Sequence, residues 1–359
     1  MRRTPFRSLT LAALAAGLLL AATACGSSSG GSDASGTTAA SGSDAKPVTV
    51  RLGYFPNVTH ATAIVGVDKG LYAKALGTNK LETKTFKDGT EASEALNAGA
   101  IDATYIGTGP AINLFQKSGG KAIKIISGAT SGGASLVVKS DITSVADLKG
   151  KTISDPKLGN TQDVSLRAYL KANGLNTTID GGGDVKIAPQ ENAQTLDAFK
   201  AGTIDGAWVP EPWASRLVID GGGKVLVDER DLFSDKQFST TILVVSQKFL
   251  GEHPDVVKQL LEGQVAANDY VNANLDESQT IVNAALKTLT GKDLKPEVIK
   301  SAFEHLSFTD DPLAASVQKA ADNAKDVELL DSNDVTGIYD LEPLNAVLKD
   351  KGEDAVSAG

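Results

Sequence analysis

The sequence has very few of the residues that most often carry out chemistry in enzymes. Among 359 residues there is one cysteine, Cys25, and there are three histidines, His60, His253 and His305. A single cysteine excludes a disulfide within the chain. The histidines are far apart in sequence, and there is no Gly-x-Ser-x-Gly motif and no metal-ligand spacing. We therefore expect no enzyme activity, no metal and no cofactor.

Positive charge is also scarce. The chain has 35 Lys and Arg against 44 Asp and Glu, which gives a formal net charge of -9. Arg2, Arg3 and Arg7 precede Cys25 and no acidic residue does, so a chain cleaved before Cys25 would carry a charge of about -12. An acidic surface argues against nucleic acid and anionic membrane patches as partners. Any site for an anion must therefore be built from local donors.

The first residues have the features of an export signal. Three arginines precede the apolar run Leu9–Leu20, which is too short for a comfortable transmembrane span. Ala22-Thr23-Ala24-Cys25 resembles a bacterial lipoprotein box, although that pattern usually has Leu at the position of Ala22. The resemblance implies a signal peptide over 1–24, lipidation of Cys25 and an extracytoplasmic protein anchored to the cell membrane. The alternative is an ordinary signal peptide with a chance cysteine.

A segment rich in Ser, Gly, Ala and Thr follows the cysteine. Residues 25–46 cannot bury a core, and this composition is typical of a flexible linker. The folded part is therefore expected to begin near residue 47.

One pattern occurs twice in the chain. Ala98–Ala111 reads AGAIDATYIGTGPA and Ala201–Ala214 reads AGTIDGAWVPEPWA. Each predicts a helix end, a short buried strand and a turn into a new helix. The repeat favours two lobes of similar design that present strand-end turns to a shared cleft. Two ordinary βα units in one sheet are the alternative.

Strands alternate with helices over most of the chain, and a helical part follows from Pro254, so the sequence predicts an α/β fold. Ligands in such sheets bind outside the carboxyl ends of the strands. The turns at 55–60, 107–111, 155–162 and 208–213 are all predicted strand ends. Residues 127–133, with only small side chains, are expected to form a loop that lets a ligand approach the backbone.

Two of these turns hold side chains with alternative interpretations. His60 lies in the first turn of a predicted helix, where the helix dipole disfavours a charged imidazolium. A neutral His60 could donate to a ligand, or the ring could simply pack at a strand edge. Asn160, Thr161 and Gln162 could donate to an anion at a helix N-terminus or could act as structural caps.

Several phrases of the sequence resemble one family in its order along the chain. They are LGYFPNVTHA, ALNAGAIDATYIGTGPA, SVADLKGKTIS, GTIDGAWVPEPWASRL and ILVVSQKFLGEHPDVV. The chain resembles the extracytoplasmic solute-binding proteins of ABC importers for nitrate, sulfonates and taurine, a superfamily that also handles thiamine-pyrimidine precursors. The resemblance implies a two-lobed periplasmic-binding-protein-like (type II) α/β fold with hinge strands and a helical C-terminal part.

The resemblance also implies domains, partners and site residues. Lobe I would be 47–136 and 238–359, and lobe II would be 137–237. The protein would act as a monomer that delivers a small anion, expected to be an aliphatic sulfonate, to an ABC permease and its ATPase. The ligand-binding positions implied are Asn57, Thr59, His60, Thr108, Gly109, Ser131, Gly132, Asn160, Thr161, Gln162 and Trp208, with Glu211 beside them.

Trp208 and Glu211 carry separate expectations. The Trp208 ring is expected to cover an organic tail of the ligand, unless it belongs to the core of lobe II. A carboxylate at Glu211 would repel a simple anion. It could pair with a ligand amine, as in taurine, or with Arg216, or it could face outward.

Two other classes of function remain open from the sequence. The two-lobed fold also occurs in enzymes of cofactor biosynthesis, but the chain lacks a recognisable catalytic set. A surface adhesin or sensor would need an exposed interaction face, and the sequence indicates none.

Overall fold

Alternating apolar residues build two β-sheets, each covered by helices on both faces. The computed structural model describes residues 46–233 and 235–359. The predicted signal peptide, Cys25 and most of the predicted linker lie outside the described residues. In the described part, no helix combines the length and apolar character needed to cross a membrane.

Sheet 1 has six strands in the order β11-β4-β10-β3-β1-β2. Strands β1, β2 and β3 are parallel to one another, and β10 runs antiparallel to its neighbours β3 and β4. The strand bounds are β1 Thr49–Tyr54, β2 Lys80–Thr85, β3 Ala103–Ile106, β4 Ile123–Gly132, β10 Ser239–Ser246 and β11 Leu306–Phe308.

Sheet 2 has five strands in the order β7-β6-β8-β5-β9. Here β6 is parallel to β7 and β8, whereas β5 is antiparallel to β8 and β9. The strand bounds are β5 Ala134–Val138, β6 Thr152–Ser154, β7 Lys186–Ile187, β8 Gly206–Pro210 and β9 Lys224–Asp228. We call sheet 1 with its helices lobe I and sheet 2 with its helices lobe II.

Thirteen helices in the described ranges cover the sheets. They are α1 Ala61–Asp68, α2 Leu71–Leu76, α3 Gly89–Asn97, α4 Thr108–Lys117, α5 Thr161–Ala172, α6 Asn192–Ala201, α7 Trp213–Ile219, α8 Gln247–Glu252, α9 Pro254–Ala273, α10 Leu275–Thr290, α11 Pro296–Glu304, α12 Ala314–Asp326 and α13 Glu342–Lys351.

The two-residue period of the strands divides each core between the faces of its sheet. In β10, Leu243 and Val245 pack on the side of α9, whereas Ile242 and Val244 pack on the opposite side. In sheet 2, Trp208 shares one face with Leu136, and the neighbouring residues of β8 face the other way. Alternation of this kind is what a sheet buried on both faces requires.

The chain passes from sheet 1 to sheet 2 at Gly133, which has a φ of +73°. β4 ends at Gly132 and β5 begins at Ala134, so Ala134–Leu136, which the sequence prediction placed in lobe I, pair within sheet 2. The chain returns between Asp228 and Ser239. These two crossings are the expected hinge.

The loop predicted at 127–133 is wrong, because most of it is strand β4. β4 pairs with β10 on one side and with β11 on the other, so tertiary pairing overrides the low strand propensity of the small residues. Their size has another reason. Gly128 N donates to Asp310 O at 2.7 Å, and a Cβ at Gly128 would lie 2.1 Å from Asp311 O. The absence of a side chain at Gly128 therefore leaves room for the backbone of Asp311.

Candidate functional site

A small cavity lies between the two lobes, where strand ends from both sheets meet. Its volume is about 40 Å³. Six of the predicted ligand-binding residues line it: Asn57, Thr59, His60, Asn160, Thr161 and Gln162. The remaining lining residues are Phe55, Lys87, Asp88, Gly89, Gly107, Pro110, Pro156, Asn192, Pro210, Thr240 and Thr241.

The topology explains why residues so distant in sequence converge. Phe55, Gly107 and Pro156 follow soon after the carboxyl ends of β1, β3 and β6. Thr240 and Thr241 lie near the start of β10, and because β10 is antiparallel its amino end sits beside those carboxyl ends. Open α/β sheets bind ligands at this edge.

The N-terminus of α5 offers unpaired backbone donors to the cavity. Within the described residues, the N–H groups of Thr161, Gln162 and Asp163 have no hydrogen-bond acceptor. The N-cap residue Asn160 makes no side-chain capping bond, and its Oδ1 is buried without a partner. Three such donors at the positive end of a helix dipole suit the oxygen atoms of an anion.

A buried ionic cluster holds the α5 N-terminus in place. Asp163 accepts from Gly159 N at 2.8 Å and from Arg167 Nε at 2.7 Å. Asp155 lies beside it with no exposed surface. Burial and the neighbouring Asp163 carboxylate raise the pKa of Asp155 well above its usual range. The raised pKa favours the protonated, uncharged form of Asp155.

At two other helix N-termini beside the cavity, some first-turn N–H groups already have acceptors. At α4, Gly109 N donates to Thr161 Oγ1 at 3.1 Å, and Pro110 has no N–H. At α3, the Asp88 carboxylate accepts from Thr90 N at 2.8 Å and Glu91 N at 3.0 Å. Among α3, α4 and α5, α5 leaves the most first-turn N–H groups without an acceptor in the described part of the chain.

His60 lines the cavity as a neutral ring. Burial lowers its pKa to about 3. Its Nδ1 accepts from Phe55 N at 3.3 Å, which leaves the ring proton on Nε2. The ring lies 4.5 Å from the Phe55 ring, centroid to centroid. The ring therefore packs against Phe55, and its Nε2–H has no acceptor within the described residues.

Charged pairs cross between the lobes at the rim of the cavity. Lys157 Nζ lies 3.0 Å from Asp88 Oδ2, and Lys87 Nζ lies 3.3 Å from Glu191 Oε1. Trp213 Nε1 donates to Asn57 Oδ1 at 3.1 Å. The lining contains no cation except Lys87, whose side chain is largely exposed. The interior of the cavity therefore relies on neutral donors.

Four predicted positions from two turns do not line the cavity. Thr108 is fully buried behind it, and Gly109 is in contact with Thr161. Ser131 and Gly132 belong to β4, and Ser131 lines a separate surface pocket with Arg230 and Asp228. Their small side chains serve strand pairing and the lobe crossing, which corrects the expectation of direct ligand contact.

Trp208 lies in the core of lobe II and not at the cleft. Its side chain has no exposed surface, and Nε1 donates to Glu229 Oε2 at 2.7 Å. The Tyr169 ring packs edge-on at 5.6 Å. Burial raises the pKa of Glu229 to about 8, so this pair is largely neutral at pH 7. The alternation along β8 turns the ring away from the cleft, which corrects the prediction that it covers a ligand tail.

Glu211 is also absent from the cavity and takes none of the three predicted positions. Its side chain is 1% exposed. Oε1 lies 2.8 Å from His305 Nδ1, and Oε2 accepts from Ser215 N at 3.0 Å. The Glu211 hydrogen bond raises the pKa of His305. Because Glu211 N bonds to Gly133 O, this pair sits at the crossing between lobes. Neither side chain lines the cavity.

The sequence reasoning missed three parts of the cavity wall. Asp88 and Gly89 follow β2, and Asn192 follows β7, so the strand-end rule applied to those strands would have found them. Thr240 and Thr241 had no such signal, because a strand start is recognised as a site only once its antiparallel partner is known. No group of three His, Cys, Asp or Glu in the described ranges is arranged to hold a metal ion.

Both the sequence and the fold of this chain are similar to those of known proteins. The NMT1-like family matches residues 43–286. A protein of Brucella abortus, named only as a binding protein, is 30% identical over 67% of this chain and 72% of its own length. The taurine-binding periplasmic protein of Escherichia coli is 28% identical over 57% of this chain and 61% of its own length.

A solved structure shows the same fold. The alkanesulfonate-binding protein SsuA of Xanthomonas axonopodis pv. citri, solved with bound MOPS, superposes with a TM-score of 0.67 at 24% identity. The match covers 80% of this chain and 96% of that protein. The fold is therefore that of the periplasmic binding proteins, and the family match over more than half of the sequence shows that this chain belongs to the NMT1-like family.

Proposed function

We propose that this protein is the substrate-binding component of an ABC importer and captures a small oxyanion, with an aliphatic sulfonate as its ligand class. The observation that supports the proposal is the α5 N-terminus, where Thr161 and Gln162 line the cavity between the lobes and the first three N–H groups have no acceptor within the described residues. The relatives named for taurine and alkanesulfonate binding support the same class.

Neutral donors are sufficient for such a ligand. A sulfonate has three oxygen acceptors, and charge-assisted hydrogen bonds to backbone N–H groups are stronger than neutral ones. Thr59 and Thr161 add hydroxyl groups, and neutral His60 adds Nε2–H. A buried lysine or arginine is therefore not required.

The cavity volume limits the ligand in the closed form. A water-sized group needs roughly 10–15 Å³ on this measure, so the cavity of about 40 Å³ holds about three or four such groups. This fits a sulfonate head with a very short chain, or nitrate. Longer alkyl tails would need the lobes to close less completely.

The rest of the proposal concerns location and partners. Residues 1–24 would direct export, the lipidated Cys25 would anchor the protein to the cell membrane, and an ABC permease with its ATPase would receive the ligand. The protein would act as a monomer without enzyme activity. Relatives named as periplasmic binding proteins support an extracytoplasmic place.

Calorimetry and thermal shift with nitrate, methanesulfonate, taurine and butanesulfonate test the ligand class. Among the sulfonates, we expect tighter binding for methanesulfonate than for taurine or butanesulfonate, and a rise in melting temperature that grows with ligand concentration. Mass spectrometry should recover the ligand unchanged. Failure of all four to bind, or conversion of a ligand, would refute the proposal.

A charge placed at the α5 N-terminus tests the site itself. Gln162→Glu adds a carboxylate to the cavity wall and should weaken binding about tenfold or more, since like charges repel in a closed site. Gln194→Glu is the matched control, because Gln194 is exposed in the first turn of α6 and does not line the cavity. Equal affinities of the two variants would exclude α5 as the anion site.

A further inference from the structure

We propose that Thr161 is a positioning residue for lobe closure. In the closed form it packs against the turn Gly107-Thr108-Gly109-Pro110 of lobe I. The sequence favoured direct ligand contact by Thr108 and Gly109. The geometry points to a different use, because that turn meets the other lobe. The proposal concerns closure alone and does not depend on the identity of the ligand.

The contact is a hydrogen bond between the lobes. Gly109 N, in α4 of lobe I, donates to Thr161 Oγ1, in α5 of lobe II, at 3.1 Å. Thr161 is 4% exposed, so water competes little for the bond. It satisfies a first-turn N–H of α4 that would otherwise need a ligand or water. An acceptor on the opposite lobe can reach that N–H only when the lobes are together.

Gly107 and Gly109 leave room for Thr161 to pack against this turn. A Cβ at Gly109 would lie 2.9 Å from Thr161 N and 3.1 Å from Asn160 C, which are backbone atoms of the other lobe. A Cβ at Gly107 would lie 2.4 Å from Thr161 Oγ1. Neither glycine has a positive φ, so alanine fits the local backbone at both positions. The requirement for glycine therefore comes from the opposing lobe.

A substitution at Gly109 should change lobe closure without lowering the stability of either lobe. Alanine is a better helix former than glycine, so Gly109→Ala should leave each lobe at least as stable as before. The substitution should instead oppose close approach of α4 and α5. Gly251→Ala is the matched control, because Gly251 lies in α8 with no atom near its missing Cβ.

Chemical cross-linking of the closed form measures the population of that form in the absence of a ligand. The full chain would carry Cys25→Ser with Lys87→Cys and Glu191→Cys, since those two side chains are exposed and meet across the cleft. A short bis-maleimide joins the two thiols only while the lobes are closed, so the rate of cross-linking reports the closed population even when it is small.

We expect Gly109→Ala to slow cross-linking about tenfold and Thr161→Val about fivefold, the effect of one lost buried hydrogen bond. Thr161→Ser keeps the acceptor and should cross-link at nearly the parent rate, as should Gly251→Ala. Gly107→Ala should also slow the reaction. Adding it to Thr161→Ala should cost nothing further, because the clashing Oγ1 is then absent.

Three results would overturn the proposal. Gly109→Ala could cross-link as fast as the parent, or Thr161→Val could equal Thr161→Ser. A melting temperature of Gly109→Ala well below that of the parent would make the glycine a requirement of folding and not of closure.

Discussion

Single buried polar residues set the charge state of the cleft. His60 is neutral because burial lowers its pKa to about 3, and burial together with Asp163 raises the pKa of Asp155, which favours its uncharged form. The remaining donors are N–H and hydroxyl groups, which do not titrate near pH 7. Binding should therefore be insensitive to mild acid.

We expect ligand affinity to change less than about twofold between pH 5 and pH 8. His60 would become charged only near pH 3, below that range. His305 has a raised pKa, but it lies at the lobe crossing and not at the cavity. Calorimetric titration across the range checks this. A large gain in affinity below pH 6 would show that a histidine cation binds the anion.

Trp208→Ala should lower the free energy of unfolding by about 3–5 kcal/mol and leave ligand affinity almost unchanged. The indole is fully buried in lobe II, and its removal also leaves Glu229 Oε2 without a donor. Melting temperature and affinity must be measured on the same sample. A loss of affinity for a tailed sulfonate that exceeds the loss for nitrate would place the ring at the ligand.

At the scale of elements, the loop before α5 depends on buried charges. Asp163 accepts hydrogen bonds from Gly159 N and Arg167 Nε, and these bonds hold the segment that presents the α5 N-terminus. Asp155 is buried beside them, and burial and the Asp163 carboxylate raise its pKa. A carboxyl group that keeps its proton in the folded state costs stability as pH rises, because the unfolded group ionises freely.

Asp155→Asn should therefore stabilise the protein increasingly above pH 4. The raised pKa means that its stability contribution is complete below the unfolded pKa of about 3.9 and is lost as pH rises towards the folded pKa. The gain should approach about 1.4 kcal/mol per pH unit over that window. Denaturant unfolding at pH 4, 5.5 and 7 measures it, with Asp197→Asn on exposed α6 as the control. A gain that did not grow with pH would argue against a protonated Asp155.

At the scale of the whole molecule, two lobes meet through polar contacts. Salt bridges at the rim and the Thr161 contact join them, and the two chain crossings connect the sheets. Exposed ion pairs contribute little each, with a median near 0–1 kcal/mol. The interface is therefore weak enough for opening, which a hinged binding protein needs.

Charge exchange in the rim pair Lys87–Glu191 should show that this contact contributes to the closed form. Lys87→Glu and Glu191→Lys should each weaken ligand binding about two- to fivefold at low salt, because two like charges then face each other in the closed form. The double variant should recover most of the loss. The effects should fade at 0.5 M salt, where screening is strong. Non-recovery in the double variant would mean that the pair does not form on closure.

Local sequence patterns were sufficient to predict most of the helices and strands. The predicted helix Pro254–Ala273 agrees with α9 at both ends, since its amphipathic pattern and the Pro at its start are both local signals. The strand patterns at 48–54 and 101–106 predicted β1 and β3 to within two residues, and turns were predicted after both. The predicted loop at 127–133 failed because strand pairing with β10 and β11 is not visible locally.

By itself, the sequence determined the α/β class, the two-lobed family resemblance and six residues of the cavity, because periodicity, turn residues and strand order all act over short distances or recur in the family. Only the tertiary structure decided which turn residues face the ligand. Side-chain direction along β8 sends Trp208 to the core, and contact between the lobes assigns Gly109 to Thr161. Those outcomes depend on partners more than fifty residues away, as in the 52-residue separation of Gly109 and Thr161, and no local pattern encodes them.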